Sequence, residues 1–280
     1  MVSSNASTRL DVFLAQLAAA PAVLVQVDAT QGSAPREAGS WMAVFAENVV
    51  GTIGGGHLEY QAIARAKVLL GAAGSNEAAA TELLRVALGP SLGQCCGGVV
   101  SLRFERLTSD HLPEIGKRLR QLLQRTMAPV ALFGGGHVGH ALVRVLSNLP
   151  FSVHWIDSRD GVFPDDVPAG VVCEHSDPVQ PAVASLAPQS RVLIMSFSHA
   201  EDLDIVAACL QRQRQQSDLP YIGLIGSQTK WASFRQRLAA RGLGEVDLSQ
   251  VTCPIGVPGV KGKEPEVIAV AVAAQLLQTL

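Results

Sequence analysis

The chain has 280 residues, 48% of them apolar, enough for one large domain or two ordinary ones with a substantial core. Its 22 basic and 24 acidic side chains leave a formal charge of −2 with no Lys/Arg block, which excludes the basic footprint of a nucleic-acid binder. The polar start from Met1 to Thr8 and the lack of any apolar run near the roughly 20 residues of a membrane span predict a soluble, cytoplasmic chain without a secretory signal. Five cysteines, an odd number with two adjacent, suit reduced thiols better than a disulfide framework.

In chain order, apolar residues at helical spacing predict a helix over Arg9 to Ala20, followed by a buried strand over Ala22 to Val27 and the turn Gln31-Gly32-Ser33-Ala34-Pro35-Arg36. Short strands are predicted at Trp41 to Ala46 and Val49 to Ile53, a helix at His57 to Leu70, and strands at Thr81 to Leu88 and Val99 to Phe104. This first part, residues 1–108, reads as a mixed α+β domain. The polar stretch 109–127 reads as a linker or surface helix. From 128 to 280, strands at Val130 to Phe133, Ser152 to Asp157, Gly170 to Cys173, Arg191 to Ser196 and Tyr221 to Ile225 alternate with helices at His137 to Leu149, Val179 to Leu186, Ala200 to Gln215 and Lys230 to Arg241, closing with a helix from Lys263 to Leu280. Apolar strands alternating with helices predict an α/β fold, a Rossmann-like doubly wound parallel sheet.

The strand at Val130 runs into Gly134-Gly135-Gly136-His137-Val138-Gly139, a G-x-G-x-x-G turn that opens a helix. Such glycines let backbone N–H groups approach a phosphate at the positive end of a helix, or merely let helix and strand pack closely. Asp157 ends the next strand at the spacing of a ribose-binding acid, with Arg159 two residues on as a partner for it, for a phosphate, or for solvent. Gly54-Gly55-Gly56-His57-Leu58-Glu59 is a second glycine run entering a helix and a second candidate anion cradle. His57-Leu58-Glu59 lacks the downstream P-C-x-x-C of zinc deaminases. Ser198 is a helix cap by its letters, and His199 either contacts a ligand or is simply exposed. Cys95 and Cys96, between glycines, are either accessible thiols near a ligand or buried small residues. The run from Cys253 to Glu266, with Lys261 and Lys263, is a rigid connector for the last helix or a lid. It is not a Walker loop.

Gln31 to Arg36, Gly51 to Glu59, Leu92 to Gly98, Phe133 to Gly139, Ile222 to Ser227 and Cys253 to Gly256 occur in that order, and together they closely resemble the XdhC/CoxI family of xanthine dehydrogenase accessory proteins. The resemblance spans roughly Val23 to Leu277. It implies a family-specific N-terminal domain before a Rossmann domain, and a non-catalytic chaperone. Such a protein binds the molybdenum cofactor (a molybdopterin) as cargo, holds it while a cysteine desulfurase installs sulfur, and inserts it into apo xanthine dehydrogenase. It further implies Cys95, Cys96 and the runs Gly54, Gly55, Gly56 and Gly134, Gly135, Gly136, Gly139 as cofactor-binding candidates, and a homodimer; the spacing of Asp157, apart from the resemblance, adds a nucleotide in the Rossmann domain. Relatives often carry Cys where His57 stands and two histidines where His199 stands alone.

Read without the resemblance, Gly134 to Gly139 with Asp157 also suit an NAD(P)-dependent oxidoreductase or a nucleotide-sensing regulator. Against the oxidoreductase, neither Tyr60 nor Tyr221 begins a Tyr-x-x-x-Lys pair.

Overall fold

The computed structural model describes residues 6–72, 81–88 and 97–280, with side chains given from 9 onward and none at 124–126. The chain divides into two compact units, Ala6–Leu123 and Gln124–Leu280. Among the described residues, no helix is long and apolar enough to cross a membrane.

The first unit is built on a five-stranded antiparallel sheet in the order β3-β2-β1-β5-β4, formed by β1 (Ala22–Gln31), β2 (Trp41–Val44), β3 (Val49–Gly51), β4 (Thr81–Ala87) and β5 (Val99–Leu107). Alternation along β1 separates two cores, as a pleated strand requires. Val23, Val25 and Val27 face Leu58, Ala62 and Ala66 of helix α2 (Gly56–Gly71), while Ala22 and Leu24 face Leu10, Phe13 and Leu17 of α1 (Ala6–Leu17). The second of these cores also takes Ile115 and Leu119 from α3 (Leu112–Thr126). Of the two readings of the polar stretch, linker or surface helix, the structure has the helix, one face of which packs into the first unit. Leu112, Ile115, Leu119, Leu122 and Leu123 recur at helical spacing beneath its charged outer face.

The second unit carries six parallel strands in the order β11-β10-β9-β6-β7-β8: β6 (Ala128–Phe133), β7 (Phe151–Asp157), β8 (Val171–His175), β9 (Arg191–Ile194), β10 (Tyr221–Leu224) and β11 (Val251–Thr252). Both faces of its centre are covered, which is why β6, β9 and β10 read as largely apolar runs. Ala131 and Phe133 point to the layer of α5 (His199–Gln216) and α6 (Gln228–Ala240), Val130 and Leu132 to that of α4 (His137–Leu146) and α8 (Pro265–Leu277). A short helix, α7 (Glu245–Leu248), and β11 complete the unit. The helix expected over Val179 to Leu186 is a six-residue 3-10 turn, Gln180–Ser185, with Pro181 as its second residue; a stretch this short lies in the range where 3-10 geometry competes with an α-helical turn.

Candidate functional site

In the second unit the chain lays β7 and β8 on one side of β6, then crosses back to add β9, β10 and β11 on the other. This reversal leaves a crevice beyond the carboxyl ends of β6 and β9, the place where open parallel sheets bind ligands. The Gly134–Gly139 turn forms its floor. Gly134 has φ +124° and its amide donates to the Ile156 carbonyl at 2.8 Å; a Cβ there would collide with the Met195 carbonyl oxygen. Its own carbonyl accepts from Trp155 Nε1 at 3.0 Å. Gly139 lies directly on that carbonyl, so the helix and the strand touch backbone to backbone.

Helix starts along this edge differ. Ser198 caps α5 by accepting the Glu201 amide, and Ser227 caps α6 by accepting the Lys230 amide, each at 3.2 Å. At α4 the N-cap is Gly136, which has no side-chain cap and nothing within 4 Å of where a Cβ would stand. Ser198 is thus the cap its letters suggested, and His199 is exposed, its ring edge-on to Phe234 with centroids 6.3 Å apart.

Asp157 reaches this turn but is fully engaged. Its carboxylate accepts the Gly135 amide at 2.6 Å and three N–H groups of Arg159 at 2.9 Å. Burial works against its charge, yet the Arg159 and Gly135 hydrogen bonds keep the carboxyl below its ordinary range.

One cluster had no sequence signal. Asp202 Oδ1 accepts the Ser196 amide at 2.8 Å and its hydroxyl at 2.7 Å, while Oδ2 takes the Lys230 ammonium at 2.6 Å. Lys230 also donates to the Ile225 carbonyl at 2.8 Å, tying the ends of β9 and β10 together. The two side chains are 3% and 12% exposed. Cys253, just past β11, lies within electrostatic reach of both. Burial pushes its thiol up, Lys230 pulls it back, and Asp202 raises it further. Asp202 falls in the helix predicted from Ala200 and Lys230 begins the one predicted to Arg241, and only the fold brings the pair together.

The run beyond Cys253 is anchored to the last helix. The Gly256 amide and the Tyr221 hydroxyl both donate to Gln275 Oε1 at 2.7 Å, and the Val257 amide to the Ala271 carbonyl at 3.1 Å. It connects β11 to α8, while Lys261 and Lys263 are exposed. A shallow, largely apolar concavity of about 260 Å³ over Pro129, Ser152, His154 and Val172 lies at the opposite, amino-terminal edge of the sheet, away from all these groups.

In the first unit the structure gathers three motif loops. A Cβ on Gly32 would meet Gly98 at 3.3 Å, and one on Gly54 would meet Pro35 at 2.6 Å. Gly54, Gly55 and Gly56 all have positive φ, which turns the run around a carboxylate. That carboxylate belongs to the chain itself. Glu59 Oε2 accepts the Ile53 amide at 2.9 Å, the Gly55 amide at 3.0 Å and the Thr52 hydroxyl, while the Gly54 amide turns to Thr52 Oγ1 at 3.0 Å. The cradle expected for an outside anion thus holds an internal one, because a carboxylate tethered on the same helix loses no translational freedom on binding. His57 is exposed beside Tyr60. Cys95 and Cys96 lie outside the described residues. Among the described residues, no three His, Cys, Asp or Glu side chains converge to hold a metal ion.

Although partial burial opposes it, hydrogen bonding from Thr52, Gly55, Ile53 and Gly54 holds the Glu59 carboxyl below the usual range. Its stabilisation is therefore complete above the ordinary carboxylate pKa and fades as pH falls through the lowered one. Glu59→Ala should cost about 1–3 kcal/mol at pH 7, from two amides left unpaired and a charged acceptor lost. The gap to wild type should narrow at pH 3. Urea unfolding at both pH values reads this, and an equal gap at each would mean that the charge contributes nothing.

The sequence model of the XdhC Rossmann domain matches residues 130–276, and that of the XdhC and CoxI family matches residues 15–85. The uncharacterized protein YqeB of Escherichia coli K12 is 24% identical over 268 residues, which is 92% of this chain; the chain spans 43% of YqeB's length. A crystal structure from Bacillus halodurans, described as a xanthine dehydrogenase, superposes with a TM-score of 0.68 at 19% identity over 97% of this chain and 95% of that one.

Proposed function

The chain belongs to the XdhC and CoxI family, and on that premise we propose that it is an accessory protein of xanthine dehydrogenase maturation, a carrier rather than a catalyst. Its cargo is the molybdenum cofactor, held while a cysteine desulfurase supplies the terminal sulfur and then passed to the apo dehydrogenase. The observation that carries the reading is the match of both domain models, in order, to one chain.

The residues supply fitting chemistry for such a cargo. The uncapped start of α4 at Gly136 offers backbone N–H donors to a phosphate, whereas the neighbouring starts of α5 and α6 are closed by serines. Cys95 and Cys96 are soft donors suited to a thiolate-bound metal. Release of the cargo argues against an enclosing ligand set.

Purified protein is incubated with molybdenum cofactor and, separately, with NAD(H), and the retained molybdenum and pterin are measured after filtration. Retention of the cofactor is expected, and tight NAD(H) binding without it would sink the proposal. Cys95→Ala and Cys96→Ala should lower cofactor retention severalfold with unchanged thermal melting. Wild-type retention in both would take the thiols out of the site.

A further inference from the structure

In a dinucleotide-binding sheet, the acid that closes the second strand accepts the hydroxyls of the adenosine ribose. Asp157 stands at that position with every acceptor site taken. Oδ1 accepts the Arg159 amide and Arg159 Nε, each at 2.9 Å, and Oδ2 accepts the Gly135 amide at 2.6 Å and Arg159 Nη2 at 2.9 Å. A carboxylate has about four lone-pair sites, and this one is 1% exposed. No diol can bond to it while Arg159 stays.

Arg159 is held from several sides. Its guanidinium lies 4.8 Å above the Phe197 ring, an exposed aromatic on the loop after β9. Ser158 fixes the preceding backbone, its hydroxyl donating to Glu201 at 2.7 Å and its carbonyl lying 3.0 Å from His175 Nε2. Glu201 adds a second negative charge facing the guanidinium. On the other side Val162 covers the glycine turn, so that a Cβ on Gly135 would stand 2.8 and 2.9 Å from its two methyls.

We propose that Arg159 is a specificity-determining residue that fills the ribose position of the crevice, so that this domain refuses ligands needing a vicinal diol held there, NAD among them. The proposal deepens the reading above, on which it rests only for the identity of the favoured ligand: a phosphorylated pterin carries no ribose and is indifferent to the blocked position.

The test titrates ADP, 2′,3′-dideoxy-ADP and NADH into the full chain by calorimetry and NADH fluorescence, for wild type, Arg159→Gln and Phe197→Ala. Wild type should bind ADP and dideoxy-ADP alike. Arg159→Gln should bind ADP and NADH at least tenfold more tightly than wild type, with no gain for dideoxy-ADP. Phe197→Ala, a change at an exposed ring, should give a smaller gain of the same kind. The proposal is overturned if wild type already prefers ADP to its dideoxy analogue tenfold, or if folded Arg159→Gln gains nothing. Should Arg159→Gln fail to fold, absence of any diol-dependent gain in Phe197→Ala overturns it instead. Cofactor retention by the wild type decides the carrier reading separately, so the two failures are distinguishable.

Discussion

Gly139→Val is expected to destabilise the second unit strongly, while Gly136→Ala three residues away leaves it close to wild type. A Cβ at Gly139 falls on the Gly134 carbonyl oxygen, and that carbonyl has no room to retreat. It is fixed by the hydrogen bond from Trp155 Nε1, itself completely buried between His140 and Phe163 with ring centroids 4.8 and 5.2 Å away. Moving Gly134 would also strain the bond from its amide to Ile156 and push the residue onto Met195. The clash is therefore backbone against backbone in a packed core, at the upper end of overpacking costs, about 3 kcal/mol or more. For a unit of this size that is a fall of roughly 10 °C in melting temperature. Gly136 has an ordinary φ of −79° and open space around it, so Ala there should cost only about 0.5–1 kcal/mol, from its poorer helix-capping preference. Thermal unfolding of the two variants followed by circular dichroism compares them directly. Equal melting temperatures would show that the close approach of α4 to the glycine turn does not support the fold.

The same glycine turn shows what was legible and what was not. The strand–turn–helix unit, the acid at the end of β7 and the alternation of strands with helices are local patterns, written in residues a few positions apart. They gave a doubly wound sheet, and its five expected strands are there, with β11 added at one edge. The partner of Asp157 was equally near in sequence, yet the outcome of the competition among Arg159, a ligand and solvent depends on Phe197 and Glu201, which β9 delivers from some 40 residues downstream. At Glu59 the tethered carboxylate lies inside the motif itself, so the amides of the glycine run meet it before any outside anion. Helix α3 was legible as a surface helix: its apolar residues recur at helical spacing beneath the charges, and Ile115 and Leu119 are buried with α1 and β1. β11 and α7 are too short to leave a periodic signal.

Asp202 and Lys230 were beyond the reach of any local pattern, and they carry the second large expected effect. Asp202→Ala leaves a nearly buried ammonium without its counter-ion and the Ser196 amide without an acceptor. Lys230→Met leaves a carboxylate 3% exposed beside an apolar chain. Each should cost about 3–5 kcal/mol, because an uncompensated buried charge is far more costly than a missing pair. The double variant Asp202→Ala/Lys230→Met removes both charges and should be no less stable than the worse single variant. A double-mutant cycle by denaturant unfolding measures that coupling, and strict additivity would show that the two groups do not interact. Cys253 supplies a readout in the folded protein that does not depend on stability. Lys230 lowers the pKa of this thiol and Asp202 raises it. Loss of Lys230 should therefore slow alkylation of Cys253 near neutral pH, and loss of Asp202 should hasten it, since the thiolate is the reacting form. Peptide mass spectrometry after brief iodoacetamide treatment resolves Cys253 from the other thiols. Opposite changes in rate from two variants that both weaken the fold cannot come from unfolding, which would expose the thiol in each.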